Sequence, residues 1–477
     1  MLDKISRQIY ERFITTVFKV TYVTLNNVGN LYPNIIVKRE GEEINLFCYQ
    51  CEQTPNGGCT VVGVCGKDET IASLQDTIIF GLKGIAAYRT HANQLGYTDA
   101  FVDATTHEAL YLTLTNSNFN VQEHINMAMK VGQATVRVME MLDEAHTKLL
   151  GIPEPIRVSQ NKIEGKSIVV TGHNLFALEE LLKQTDGKGI NIYTHSEMLP
   201  AHGYPALKKY PHLKGNIGKA WYDQRRLFEK FPGAILATTN CVMPIKGTYA
   251  DRMFTYEVAG LENVEKIIND DFSPIIERAL QLPEANIHSD ETLLTGFHHE
   301  TVLGLAPEVI EAVKAGKIKR FFVIAGCDAP GKGGDYYREL ATSLPPEAVI
   351  LTTSCGKFRF NDVDYGVVPG TNIPRYIDLG QCNNSGSTVK IAMALAEAFG
   401  CEINELPVSI VLSWFEQKAV AILLGLFSLG IKDIRIGPKP PEFISEGVLQ
   451  VLQDTFNLKL IGTAQEDMAD MLNLATV

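Results

Sequence analysis

A chain of 477 residues, 45% hydrophobic and 21% charged, has enough apolar material for more than one core and divides by size into two to four domains. Its 43 basic residues against 55 acidic ones leave a net charge of −12, which argues against a general phosphate-binding surface, since that needs clustered Lys and Arg. The longest apolar run, Ala419 to Ile431, is too short for a bilayer and reads as a buried helix. No secretory leader is expected either, because Lys19 interrupts the apolar run behind Lys4, Arg7 and Arg12. The expectation is a cytoplasmic protein with neither a membrane nor a nucleic-acid partner. Its nine cysteines are then reduced thiols that fill the core or bind metal.

In chain order, residues 1–45 form an extension to which no role is assigned; they include a β-branched and aromatic stretch from Thr15 to Thr24. Residues 46–160 open on a cysteine loop and then read as mainly helical. Ile78, Ile79, Leu82, Ile85 and Ala86 recur at helical spacing, and Ile125, Met129, Val136 and Met139 do so more loosely. Pro153 and Pro155 close that segment. From Ser167 onward, apolar runs of a few residues alternate with longer helical stretches, the pattern of doubly wound parallel sheets. A join near residues 285–305 divides this part into residues 161–303 and 304–477. The expected fold class is α/β multidomain: a mainly helical N-terminal domain, then two Rossmann-like α/β domains with parallel sheets.

The cysteine loop places Cys48, Cys51, Cys59 and Cys65 within eighteen residues, with Gly57, Gly58, Gly63 and Gly66 among them. Thiolates at this spacing can wrap one metal centre, and glycines permit the tight turns such a loop needs. Spacing alone fits an iron–sulfur cluster and a structural zinc ion about equally well.

The later ligand-type residues sit at the ends of apparent strands. Ser167–Val170 leads to His173, Asn191–Tyr193 to Glu197, and Ala234–Leu236 to Cys241. Phe321–Ile324 leads to Cys327, Val349–Leu351 to Cys355, Tyr376–Leu379 to Cys382, and Ser409–Leu412 to Glu416. Open α/β sheets bind ligands outside the carboxyl ends of their strands, so two facing sheets would gather all seven groups at one interface. Four thiolates suit an iron–sulfide core, while an imidazole and two carboxylates suit harder or open iron. That mixture shifts the N-terminal loop towards iron as well. Lys418 follows Glu416 by two residues, and either side chain alone reads equally well as a surface pair. Cys401, at a helix end, fits no strand-end pattern and reads as structural.

At these residues the chain resembles the hybrid cluster protein family, also called hydroxylamine reductases or prismane proteins. The resemblance runs from Phe47 to the C-terminus. It is carried by Phe-Cys-Tyr-Gln-Cys-Glu-Gln-Thr at 47–54, Gly-Val-Cys-Gly-Lys at 63–67, Val-Thr-Gly-His at 170–173 and Glu-Met-Leu-Pro-Ala-His-Gly-Tyr-Pro at 197–205. Further matches are Thr-Thr-Asn-Cys at 238–241, Gly-Cys-Asp at 326–328, Cys-Gly-Lys-Phe-Arg-Phe-Asn at 355–361, Gly-Gln-Cys-Asn at 380–383 and Trp-Phe-Glu-Gln-Lys-Ala-Val at 414–420.

The resemblance implies that Cys48, Cys51, Cys59 and Cys65 hold a cubane [4Fe–4S] cluster. It implies that His173, Glu197, Cys241, Cys327, Cys355, Cys382 and Glu416 hold a hybrid [4Fe–2O–2S] cluster with Lys418 at its edge. Cys327 matches the position that carries a persulfide in oxidised members. The segment between Cys65 and His173 is shorter than in full-length members, as in a subgroup with a reduced helical domain, and residues 1–45 have no counterpart.

The implied activity is reduction of hydroxylamine to ammonia and water, with electrons from an external donor protein relayed by the cubane. Glu416 and Lys418 are the candidate catalytic groups, and His195, His202 and His299 are further proton-donor candidates by proximity in sequence. Nitric oxide reduction or protein S-nitrosylation at the same ligands, and a redox sensor without turnover, are the alternatives.

Overall fold

A computed structural model describes residues 47–473 other than 55, 56, 61 and 329. The expected N-terminal extension therefore lies outside the described residues. The chain divides into two compact units, Met1–Ala72 and Ser73–Val477.

In the first unit, Cys48 and Cys59 face each other across a short antiparallel bridge. The Cys59 N–H donates to the Cys48 carbonyl at 2.7 Å, and the Phe47 N–H to the Cys59 carbonyl at 3.0 Å. Downstream, the Gly63 N–H donates to the Lys67 carbonyl at 2.8 Å. A Cβ at Gly63 would press against that same carbonyl oxygen, so only glycine lets the turn close.

Helix α1, Glu69–Gln94, begins in the first unit and runs into the second. It is followed by α2, Ala100–Leu112, capped by the Asp99 side chain, and α3, Val121–Leu150, capped by Asn120. Ile78, Leu82 and Ile85 are buried as the spacing predicts, while Ile79 is half-buried and Ala86 exposed; of the predicted stripe on α3 only Met139 is buried. Met127, Val131, Ala134, Val138, Met141 and Leu142 point inward, whereas Ile125, Met129 and Val136 are half-buried. The predicted stripe marks one margin of a helix that packs on two sides.

The apolar run near residue 420 is the helix Gln417–Ser428, with Ala419, Val420, Ala421, Leu423, Leu424 and Phe427 buried. It crosses α1 and α3 closely. A Cβ at Gly132 would collide with the Leu424 carbonyl, and one at Gly84 with the Ala421 side chain. Those glycines let the backbones approach and so fix where Lys418 enters the interior.

Fifteen strands follow within the described residues, labelled β1 to β15 in chain order. Five of them, β2 (Lys162–Thr171), β3 (Ile190–Thr194), β4 (Leu213–Asn216), β5 (Ala234–Ala237) and β6 (Met253–Tyr256), join β7 (Glu265–Ile267) in the parallel order β4-β3-β2-β5-β6-β7. Strand β8, Ala285–Ile287, pairs antiparallel with β2. A second parallel sheet has the order β12-β11-β10-β13-β14-β15. Its members are β10 (Arg320–Gly326), β11 (Ala348–Thr352), β12 (Tyr376–Asp378), β13 (Val408–Ser413), β14 (Ile434–Gly437) and β15 (Lys459–Leu460). Strands β1 (Ile156–Ser159) and β9 (Thr292–Thr295) pair with each other as a separate ribbon.

All seven predicted strand runs are strands. They were readable because strands covered on both faces carry unbroken apolar runs: every residue of β5, β10, β11 and β12 is buried.

Candidate metal centre

Each of the seven strands ends in a sharp turn that carries the ligand-type side chain. A positive φ occurs at that side chain or within the two residues before it in every case. Gly172 (105°) precedes His173, Ser196 (53°) precedes Glu197, and Gly326 (114°) precedes Cys327. Ser354 (68°) precedes Cys355, Gly380 (113°) and Trp414 (48°) lie two residues before Cys382 and Glu416, and Cys241 itself sits at 68°. For Ser, Trp and Cys this backbone costs on the order of 1 kcal/mol or more per residue. Strain of that kind, repeated at one place in a fold, marks a site where side-chain direction matters more than local stability.

The turns converge. His173 Nε2, a Glu197 carboxylate oxygen and Cys382 Sγ all lie within 4.8 Å of one another. His173 Nδ1 hydrogen-bonds Thr239 Oγ1 at 2.8 Å, which aims Nε2 inward, where it has no partner. One Glu197 oxygen accepts the Cys382 N–H at 2.6 Å while the other, also buried, is unpartnered. Ser196 Oγ lies 3.2 Å from Cys355 Sγ, and Asn240 donates to Cys241 Sγ at 3.2 Å. Trp221 Nε1 donates to the Cys327 carbonyl at 2.9 Å, and Trp414 Nε1 to Glu416 at 3.1 Å. Lys418 Nζ donates to Asn383 Oδ1 at 3.0 Å and lies 5.2 Å from the centre of the Tyr88 ring.

Electrostatics describe the same meeting point. Burial pushes the Cys241 thiol up to about 12, although the Lys418 ammonium works against it. Burial also raises Cys327, Cys355 and Cys382, and each feels Glu197 and at least one of the other thiols. Glu197 is raised by burial and His173 is lowered by it. Four thiols and the Glu197 carboxyl, all of which burial keeps from carrying charge, need a strongly cationic partner to ionise together. Iron would supply that charge. The orphaned His173 Nε2 and Glu197 oxygen supply open lone pairs, so the residues present fit an iron cluster.

In the first unit Cys48, Cys51, Cys59 and Cys65 are not in disulfides, and Lys67 Nζ lies 3.8 Å from Cys48 Sγ. No three of their sulfurs form a group within 4.8 Å among the described residues.

Other sequence candidates lie elsewhere. His195 and His202 hydrogen-bond the strand-end hydroxyls of Thr171 and Thr194, both at 2.9 Å. His299 belongs to a separate group: Asp143 receives His298 Nε2 at 3.1 Å and Lys390 Nζ at 3.0 Å, and Lys390 also approaches His299 at 3.4 Å. The Lys390 ammonium already provides the cation there. Cys401 is half-buried against the core of the second sheet.

Sequence reading missed Tyr88 and His91, both on α1 and both buried beside this centre. It missed Thr239 as the orienting group for His173, and Gln381, whose amide donates to the Glu197 carbonyl at 2.7 Å. Thr239, two residues before Cys241, was the readable one, since a hydroxyl beside a ligand turn is a common histidine partner.

Two facing parallel sheets that deliver thiols, carboxylates and an imidazole from their strand ends define a metal-cluster protein of the α/β class. The chain belongs to the Prismane/CO dehydrogenase family, whose sequence profile matches residues 46–127 and 88–469. It is 57% identical to a protein named hydroxylamine reductase from Moorella thermoacetica over 428 residues, covering 90% of this chain and all of that one. It is 50% identical to one of the same name from Thermotoga maritima, with 90% of this chain and 100% of that protein covered. A hydroxylamine reductase from Geobacter metallireducens is 49% identical, but there the match spans 84% of this chain and 72% of the relative.

Among solved structures, a nickel-free carbon monoxide dehydrogenase from Thermococcus sp. AM4 superposes with a TM-score of 0.71 at 18% identity, covering 90% of each chain. Carbon monoxide dehydrogenase IV from Carboxydothermus hydrogenoformans gives 0.70 at 15%, over 90% of this chain and 92% of that one. These two likenesses concern the fold. No described helix is long and apolar enough to cross a membrane.

Proposed function

We propose that this chain reduces hydroxylamine to ammonia and water at a hybrid [4Fe–2O–2S] cluster. His173, Glu197, Cys241, Cys327, Cys355, Cys382 and Glu416 would hold it, with Lys418 at its edge. Cys48, Cys51, Cys59 and Cys65 would hold a [4Fe–4S] cluster that accepts electrons from an external donor protein. In the balanced reaction hydroxylamine takes up two electrons and two protons; the N–O bond breaks, nitrogen leaves as ammonia and oxygen as water. The observation that supports this reading best is that His173, Glu197 and Cys382, from three strand ends, meet within 4.8 Å with two buried ligand atoms left without partners, while Cys241, Cys327 and Cys355 each feel the Glu197 carboxylate. Relatives that share half or more of the residues are named for this activity.

When bound, the hybrid cluster would supply electrons and a Lewis-acidic iron. The protein's own groups do the rest. Thr239 holds the His173 tautomer, and the Cys382 N–H fixes one Glu197 oxygen. Lys418, tethered by Asn383, keeps a cation beside the thiolates, where it can hold the developing ammonia in place or return a proton. Glu416, oriented by the Trp414 indole, is the neighbouring carboxylate.

We read the domain plan as residues 1–45, 46–160, 161–303 and 304–477, and the setting as the cytoplasm of an anaerobic cell under nitrosative stress. Anaerobically purified protein should contain about eight irons per chain and fewer sulfides than irons, and should release ammonia from hydroxylamine with a reduced dye. Faster consumption of nitric oxide than of hydroxylamine would favour the nitric oxide reductase or S-nitrosylase reading. A spectroscopic response without product would favour a sensor.

A further inference from the structure

A cavity of about 520 Å³ runs from the surface to the metal centre, and its lining includes Ala87, His91, Thr239, Asn240, Cys241 and Glu257. Cys241 is one of the seven donors and Thr239 holds another, so the inner wall of this cavity is the centre itself. Opposite them stands α1. His91 on that helix is only 8% exposed, and its ring nitrogen Nδ1 is buried without a hydrogen-bond partner. His91 feels the Lys418 ammonium and His173 feels His91, so the ring stands near both. One turn back, Tyr88 lies under Lys418 with its hydroxyl also unpartnered. A buried polar atom without a partner is costly, and in a cavity wall it is a group prepared for a ligand.

We propose that His91 binds the N–O unit of hydroxylamine by a hydrogen bond as it passes from this cavity to the metal centre. The proposal rests on the hydroxylamine reading given above. Hydroxylamine carries N–H and O–H donors and two acceptor atoms, so either tautomer of an imidazole can meet it. Burial works to keep that imidazole neutral, and a neutral ring neither repels iron nor competes with Lys418 for the thiolates. Ala87 faces the same cavity one helical turn from His91, so a bulky side chain there narrows the passage without touching a ligand.

The test uses the full-length holoenzyme with His91→Ala, His91→Gln and Ala87→Phe. Iron, sulfide and the electron paramagnetic resonance spectrum establish cluster loading. Hydroxylamine is titrated into oxidised protein without reductant, so that binding is read from the visible spectrum, and steady-state ammonia release gives KM and kcat. His91→Ala is expected to load both clusters and to raise both Kd and KM about ten-fold, with kcat changed less. His91→Gln should recover part of the affinity, and Ala87→Phe should raise KM.

Kd and KM within about two-fold of the parent in fully loaded His91→Ala would overturn the proposal. If that variant fails to load iron, an unchanged Kd in His91→Gln together with an unchanged KM in Ala87→Phe would overturn it. Binding that depends on His91 in a parent protein that releases no ammonia would support the proposal while removing the reductase reading. Ammonia release with identical constants in every loaded variant would do the reverse.

Discussion

Lys357 Nζ lies 2.5 Å from Asp378 Oδ1, and both side chains are completely buried. Lys357 follows Cys355 by two residues and Asp378 precedes Cys382 by four. The same ammonium donates to the Gly380 carbonyl at 2.7 Å, and Asp378 accepts the Gly380 N–H at 3.0 Å. One ion pair thus ties together two turns that each present a thiol to the centre, and one of those turns contacts Glu197 of the other sheet. A buried pair of this kind adds little net stability but fixes direction, and its loss leaves an uncompensated charge.

Replacing Lys357 by Met should therefore destabilise the protein by about 3–5 kcal/mol and lower the iron retained after purification. The double change Lys357→Met with Asp378→Leu should recover most of the stability, because no charge is stranded, but not the iron. Urea unfolding midpoints and iron analysis of both variants check this. A single variant as stable as the parent would show that the pair is dispensable.

Thr239 orients His173 without joining the seven donors. Thr239→Val keeps the shape and removes the hydroxyl, freeing the imidazole to change tautomer or rotate. The expected result is about 10- to 100-fold weaker retention of iron at the proposed centre, with any iron bound by the N-terminal cysteines unaffected. Iron release into a chelator over time, compared with the parent, reads the effect. Equal release rates would mean that packing alone holds the ring.

Strand ends make the candidate donors legible in the sequence, whereas their surroundings are not, for a physical reason. Cys241, Cys327, Cys355 and Cys382 each follow an apolar run that only a doubly covered strand would need, so residue type and position point the same way. Glycine or a small residue before the ligand marks the turn. His91 and Tyr88 carry no such mark: on an amphipathic helix an aromatic residue beside Ile85 reads as core. Helical spacing says which residues share a face, but not what that face meets. For the same reason the inward face of α3 is only partly legible, Met139 alone of its predicted stripe being buried, since two neighbours bury that helix and the apolar stripe widens. Lys357 and Asp378 were illegible because their pairing depends on β11 and β12 being adjacent, which is a tertiary fact. The β1–β9 ribbon, whose strands start 136 residues apart (292 − 156), was missed on the same ground.

Gly132 offers a contest between two effects of opposite sign. Alanine is the better helix former by about 1 kcal/mol, so on an exposed helix Gly132→Ala would stabilise. Here the new methyl would run into the Leu424 carbonyl. The backbones of α3 and the helix Gln417–Ser428 must separate, and overpacking of that kind costs about 1–3 kcal/mol. Overpacking should win and lower the melting temperature. It should also disturb Lys418, which that helix carries. A variant with raised Tm would show that the contact is softer than the geometry implies.

His146 and His202 are buried neutral, and burial lowers each from an ordinary value near 6.5 to about 4. For His146 the nearby Asp143 carboxylate opposes the shift, and Asp143 itself sits at about 2 because His298 and Lys390 outweigh its own burial. A histidine whose folded value is depressed binds its proton more readily when unfolded. Its contribution is complete above pH 6.5 and is lost as pH falls from there towards 4. Going from pH 7 to pH 5 should then cost about 2 kcal/mol for each of the two. Asp143 contributes nothing to that window, since its stabilisation is lost only below pH 4. His146→Gln removes one of the two titrations, so its urea-unfolding free energy should fall by about 2 kcal/mol less than the parent's between those pH values. Identical pH slopes in the two proteins would mean that His146 takes up its proton without leaving the fold.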